Sequence, residues 1–256
     1  MKPRPLGSTG MEVSPLGLGT VKFGRNQQVK YPSAFDLPDD KQLRDILALT
    51  HELGINLIDT APAYGSSQQR LGQLLTARHD WVIVSKVGEI FDGQSYFDFS
   101  FDYTIASVEE SLRTLKTDYL DVVLIHSDGD DLHILNEEGA FDALETLKQR
   151  GLIRAHGMSS KTVEGGLQVV QQMDVVMATC NLSYNDELPV LQAAAENNKG
   201  VLIKKGLQSG HVGGRHDVKD AMKFVFDQPG VSSMIVGTIS PQHLRSNVED
   251  INAVLS

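Results

Sequence analysis

Two periods alternate along this chain. Short apolar runs at 16–20, 56–60, 81–86, 121–126, 153–159, 175–181, 201–205 and 231–236 are separated by longer stretches in which apolar residues return every three or four positions. The short runs lack strict two-residue alternation, which predicts strands buried on both faces, as in a parallel sheet. Leu43, Ile46, Leu47 and Leu53 share one helical face; so do Ile105, Val108, Leu112 and Leu115, and again Leu244, Val248, Ile251 and Leu255. Gly54, Gly151 and Gly200 stand where a helix is expected to give way to the next strand. Ser67 ahead of Gln68 and Gln69 reads as a helix N-cap, with Leu71, Leu74 and Leu75 forming the apolar face behind it.

Strands alternating with helices indicate an α/β protein. About eight such units in a chain of 256 residues predict a (β/α)8 TIM barrel rather than a doubly wound open sheet. Segment 4–13, with Gly7-Ser8-Thr9-Gly10 between two extended pieces, predicts a β-hairpin plugging the N-terminal mouth of the barrel. No break in composition divides the chain, so residues 1–256 are expected to form a single domain.

Composition narrows the function. Lys+Arg number 23 and Asp+Glu 33, a net charge of −10, so the chain carries no electrostatic footprint for nucleic acid or for an anionic membrane surface. Hydrophobic residues at 41% and charged ones at 22% are ordinary for a folded enzyme-sized chain. Cys180 is the single cysteine, which excludes an intramolecular disulfide framework and a multi-cysteine metal site. No apolar run approaches the roughly 18 residues of a membrane helix, and the expected location is the cytoplasm. The oligomeric state stays open.

In a barrel of this kind chemistry gathers at the C-terminal ends of the strands. Four polar groups end apolar runs or follow them closely: Asp59, Tyr64 in the turn after it, Lys86 and His126. A lysine closing a run of Val-Ile-Val-Ser must find an anion or lose its charge, and Asp59 on the next strand supplies one. A phenol titrates near 10, so Tyr64 acts as an acid near neutrality when its deprotonated form is stabilised, a role for Lys86. His126, as a donor, would fix a substrate carbonyl against the Tyr64 hydroxyl. Such a site protonates a developing alkoxide, and since no side chain donates hydride, a nicotinamide cofactor is implied.

Asp59-Thr60-Ala61-Pro62-Ala63-Tyr64-Gly65 followed by Ser67 and Leu71-Gly72, together with Lys86 and Leu124-Ile125-His126, resembles the signature of the aldo-keto reductases. Gly7 to Met11, Ser14 to Thr20, and Val236-Gly237-Thr238 with Ser240-Pro241 and Asn247 extend the resemblance across the chain. The resemblance implies a barrel binding NADPH, less often NADH, and reducing an aldehyde or ketone, with Asp59, Tyr64, Lys86 and His126 as the catalytic tetrad. It also implies that Gly19, Thr20 and Val21 lie beside the nicotinamide and that Ser159, Ser160 and Asn181 hold its carboxamide. Leu207 and Ser209 would border the pyrophosphate, and Lys204 and Lys205 are counted among the cofactor contacts. Gly237, Thr238, Ser240, His243 and Asn247 would surround the adenosine end. Asn181 stands where relatives often carry Gln, Ser160 where they carry Asn, and Lys204 where an aromatic ring stacks on the nicotinamide. Gly237 and His243 stand where a basic pair reads the 2′-phosphate, with Arg245 close in sequence.

The loops depart most from the family. The link from Lys205 to a helix expected near Lys219 is short and the chain ends soon after its last helix, so an open pocket is expected. Segment 24–39 carries Tyr31, Pro32 and Phe35, and segment 88–102 carries Phe91, Tyr96, Phe97, Phe99 and Phe101; these aromatics form either a lid and apolar wall or packing against the barrel exterior. Asp128, Asp130 and Asp131 read as a turn rather than a metal site. Two other functions compete with a small-molecule carbonyl reductase: a cofactor-binding regulatory or sensor protein of the same fold with little turnover, and a lyase using Lys86 as a Schiff-base nucleophile.

Overall fold

The computed structural model describes residues 1–212 and 215–256, the side chains of 215–217 excepted. The chain opens with an antiparallel hairpin, β1 (Arg4–Pro5) and β2 (Glu12–Val13), and then alternates strands with helices. In order these are β3 (Leu16–Gly19), α1 (Val21–Gly24), α2 (Asp40–Glu52), β4 (Leu57–Asp59), α3 (Ser67–Leu74) and β5 (Val82–Val87). A second hairpin follows, β6 (Glu89–Phe91) and β7 (Ser95–Phe97), and after it α4 (Phe101–Leu115) and β8 (Leu120–His126). The remainder is α5 (Asp131–Glu137), α6 (Ala140–Gln149), β9 (Ile153–Ser159), α7 (Val163–Gln172), β10 (Val175–Thr179), α8 (Leu188–Glu196), β11 (Gly200–Lys204), α9 (Arg215–Phe226), β12 (Val231–Val236) and α10 (Pro241–Leu255). Strands β3, β4, β5, β8, β9, β10, β11 and β12 pair in parallel and close into a barrel, β12 returning to β3. This is the (β/α)8 TIM barrel with an N-terminal β-hairpin.

The side-chain period of two divides each strand between an inner and an outer face. Leu57, Val82, Val84, Val122, Leu124, Ala155, Val175, Met177 and Leu202 form the inner cluster, and Leu6, Met11 and Val13 of the first hairpin close it from below. Leu6 and Val13 are fully buried, so the hairpin is the barrel's floor. The outer faces pack against the helices in a second, larger cluster.

Two local signals resolve differently from the sequence pattern. Ser67 is the first residue of α3 and not its cap; Ser66 holds that place without a side-chain bond, and the Ser67 hydroxyl donates to Thr20 Oγ1 at 2.8 Å. Gly200 does not end a helix. It begins β11, and a Cβ there would stand 2.8 Å from the Leu6 side chain, so the glycine makes room for the floor. The helix expected near Lys219 begins at Arg215, and residues 213–214 of the link before it lie outside the described residues.

Candidate active site

Continuing each inner row by one two-residue step brings the site together. Leu57 is followed inward by Asp59, Val84 by Lys86, Leu124 by His126, Leu202 by Lys204, and Ala155, after Gly157, by Ser159. The same alternation that fills the barrel therefore lines its C-terminal mouth with polar groups. Asp59 pairs in register with Val84, one step below Lys86, so the lysine reaches back across one strand to the carboxylate. Tyr64 follows in a tight 3₁₀ turn, Pro62–Tyr64, whose proline presets the first residue.

The four groups meet. Lys86 Nζ donates to Asp59 Oδ1 at 2.5 Å and to the Thr60 carbonyl at 3.1 Å, with both Lys86 and Asp59 buried. The Tyr64 hydroxyl donates to Asp59 Oδ2 at 3.5 Å, and Lys86 Nζ stands 4.7 Å from the centre of the Tyr64 ring. The rings of Tyr64 and His126 meet edge to face with centroids 6.3 Å apart. All four line one cavity of about 760 Å³, a size suited to a cofactor-bearing small-molecule site.

Electrostatics in this cluster run against one sequence expectation. Burial, with the Asp59 carboxylate adding to it, holds the Tyr64 phenol well above its ordinary value. Lys86 is turned to Asp59 and Thr60 and lies under the ring rather than at the hydroxyl, so it does not offset that rise. Burial also pushes His126 below the ordinary imidazole range, against the pull of Glu89, whose Oε2 lies 2.8 Å from Nδ1. Burial brings Lys204 down to about 7.

Among the other residues the resemblance named, Gly19, Val21, Ser159, Lys204, Lys205, Leu207, Ser209, Gly237, Thr238, His243 and Asn247 line the same cavity. Thr20, Ser160, Asn181 and Ser240 do not. Thr20 and Ser160 have the outward parity of their strands, and the Thr20 hydroxyl donates to the Asp59 carbonyl at 2.9 Å. Asn181 spends its amide on loop backbone, donating to the Lys205 carbonyl at 3.1 Å and accepting from Ser183 N at 3.0 Å. Ser240 caps α10 through His243 N. Lys204 Nζ donates to Ser159 Oγ at 2.8 Å and to the Ser160 carbonyl at 2.5 Å.

Segment 24–39 straps across the mouth. Tyr31, Pro32 and Ser33 line the cavity; a Cβ on Gly237 would stand 2.7 Å from the Tyr31 hydroxyl, and one on Gly210 would stand 3.5 Å from Pro32 Cδ. The cavity is therefore more covered than the short loops at β11 suggest. None of Phe91, Tyr96, Phe97, Phe99 and Phe101 lines it: Phe99 is buried under Phe97, and the Arg25 guanidinium lies 3.6 Å above the Phe91 ring. The Asp128–Asp131 turn is occupied by backbone, with Asp131 accepting from Lys161 N and Thr162 N at 2.8 and 2.7 Å. Sequence reasoning missed Glu89 and Arg25, because their meeting depends on a hairpin beyond the strand end. Met177 and Ile235, also in the lining, were legible from strand parity alone.

Comparison with known proteins agrees with this geometry. A model of the Aldo/keto reductase family matches residues 15–222. A solved structure from Pseudomonas aeruginosa, assigned to the aldo-keto reductases, is 55% identical, covers 99% of this chain and 95% of its own, and superposes with a TM-score of 0.92. The uncharacterized oxidoreductase YqkF of Bacillus subtilis is 28% identical over 99% of this chain and 92% of its own length. The NADH-specific methylglyoxal reductase of Escherichia coli is 29% identical over 100% of this chain and 95% of its own. By family match, barrel and site together, this chain belongs to the aldo/keto reductase family.

Proposed function

We propose that the chain reduces an aldehyde or ketone to an alcohol with hydride from a nicotinamide cofactor and a proton from Tyr64. The family supports carbonyl reduction by an oxidoreductase, and its members use nicotinamide cofactors. The observation that carries the finer reading is the convergence of Asp59, Tyr64, Lys86 and His126 on one wall of the cavity.

The cavity fits such a cofactor. Lys22, Lys204 and Lys205 line it, and Lys30 and Lys161 stand close enough to Lys205 to depress its titration further after burial has done so. Positive charge concentrated here, on a chain of net charge −10, suits a pyrophosphate. When bound, the cofactor supplies hydride to the carbonyl carbon. The Tyr64 hydroxyl gives its proton to the oxygen, which becomes a stronger base than phenolate as negative charge develops, and the phenolate left behind recovers a proton from solvent. The raised Tyr64 titration keeps that proton in place throughout the neutral range. Lys86 Nζ is engaged by Asp59 Oδ1 at 2.5 Å and the Thr60 carbonyl at 3.1 Å, which disfavours the Schiff-base chemistry that needs a free amine.

For the coenzyme, family habit favours NADPH. NADH is the second reading. Among the described residues α10 brings His243, Ser246, Asn247 and Asp250 to the cavity but no arginine, Arg245 lying 3.8 Å from Glu52 instead, and one relative is an NADH-specific reductase. The test is to add 4-nitrobenzaldehyde to the purified protein with each coenzyme in turn. Stoichiometric cofactor oxidation is expected. Tight coenzyme binding without turnover on a broad carbonyl panel would replace the enzyme reading with that of a sensor.

A further inference from the structure

Lys22, Lys86, Lys204 and Lys205 all line the cavity, in unlike surroundings. Lys86 Nζ is turned to the Asp59 carboxylate, and Lys22 Nζ lies 4.0 Å from the centre of the Tyr31 ring and 5.0 Å from that of Phe35. Lys205, with φ +57, is exposed. Lys204 closes β11 and is half-buried, and among the described residues no carboxylate pairs with it. Its Nζ faces two neutral acceptors, Ser159 Oγ at 2.8 Å and the Ser160 carbonyl at 2.5 Å. Proton delivery from Tyr64 gives this amine no part.

An ammonium group carries three protons and a neutral amine two. Two acceptors therefore satisfy the amine and leave its lone pair on the side away from Ser159 and Ser160, where the side chain borders the cavity. A third proton meets no acceptor of the protein among the described residues. Burial acts in the same direction and most strongly, Lys205 and Lys161 add to it, and Glu187 before α8 and Asp131 of α5 oppose it without offsetting it, so the group titrates at about 7. Glu187 accepts from Thr179 N at 3.2 Å, and His126 is the remaining titratable group near enough to feel the Lys204 charge. We propose that Lys204 is a nucleophilic amine that captures phosphorylated aldehydes as an imine, at a site separate from Tyr64 and Lys86.

The step balances without a further reagent. The lone pair attacks the carbonyl carbon, a carbon–nitrogen bond forms, both amine hydrogens leave with the carbonyl oxygen as water, and nothing is oxidised or reduced. A phosphate on the aldehyde is favoured because Lys205 lines the same cavity and Lys30 and Lys161 lie close enough to act on it, so an anion finds ammonium groups beside the reacting amine. Capture needs neither hydride nor the Tyr64 proton and so stands apart from carbonyl reduction.

Pyridoxal 5′-phosphate is the probe. The native protein is mixed with it over a range of pH, the imine is fixed with borohydride, and the labelled peptide is identified by mass spectrometry. The expected label is on Lys204, with a yield that rises through about 7 and is level before the ordinary lysine value of 10.5. Lys204→Met should lose both the label and the imine absorption. Pyridoxal, which lacks the phosphate, should need about tenfold higher concentration for the same labelling, the worth of one hydrogen bond to a charged group. Label spread over exposed lysines with a yield still climbing towards 10.5, or label on Lys86 with Lys204 bare, overturns the proposal, and so does equal capture of pyridoxal and its phosphate. If Lys204→Met fails to fold, the peptide map and pH profile of the native protein decide.

Discussion

Lys86 and Asp59 are 2% and 4% exposed, and charges so far from water persist only because they face each other. Replacing Lys86 by Met strands the carboxylate and is expected to lower unfolding free energy by about 3–5 kcal/mol, the usual cost of breaking a buried pair from one side. Urea denaturation checks it, and an unchanged midpoint contradicts it. Glu89 gives a pH signature of its own. Its carboxyl titrates at about 2 when folded against 4.5 for a free group, so the unfolded chain takes up the proton first as pH falls. The stability it contributes is complete above about 4.5 and is lost towards 2. In Glu89→Gln the fall in melting temperature over that window should be shallower; an identical fall in both proteins contradicts the account. That Asp59, Tyr64, Lys86 and His126 would meet at one mouth was legible because each ends or closely follows an apolar run. The direction of the Tyr64 shift was not, because it depends on where the Lys86 ammonium turns, and that is set by Thr60 and Asp59 together.

At the scale of elements, all eight barrel strands were visible as apolar runs because a strand covered by helices outside and side chains inside has no polar face to show. The hairpin β6–β7 was not. Its burial runs from half-buried in Glu89–Phe91 to exposed in Ser95–Phe97, so its aromatics answer to neighbours such as Arg25 and Phe99 rather than to a core period. The hairpin β1–β2 was legible through its glycine-rich turn, and its energetic role is plain in the packing: Leu6 is fully buried against the inner cluster. Leu6→Ala is expected to cost about 2–5 kcal/mol. A calorimetric scan showing no drop in melting temperature would mean that the hairpin merely rests on the barrel.

Across the whole molecule, an acidic chain keeps a lysine-lined cavity at one end of its barrel, under a strap made by segment 24–39. Charge totals hide that asymmetry: Lys22 lies on α1, Lys86 on β5 and Lys204 at the end of β11, and only closure of β12 onto β3 brings Gly237 beside Gly19 under Tyr31. Length, parity and strand ends revealed the barrel and the polar groups at its mouth; the lysine-lined part of the cavity depends on loops whose packing no period encodes.

The most direct test of the central claim is turnover of a carbonyl substrate by Tyr64→Phe, measured beside coenzyme affinity in the same preparation. Loss of the proton donor is expected to reduce kcat about 10²–10⁴-fold while the coenzyme dissociation constant stays where it was. Undiminished turnover in a variant that still binds coenzyme would show that the proton comes from elsewhere, and the meeting of the four side chains would no longer explain catalysis.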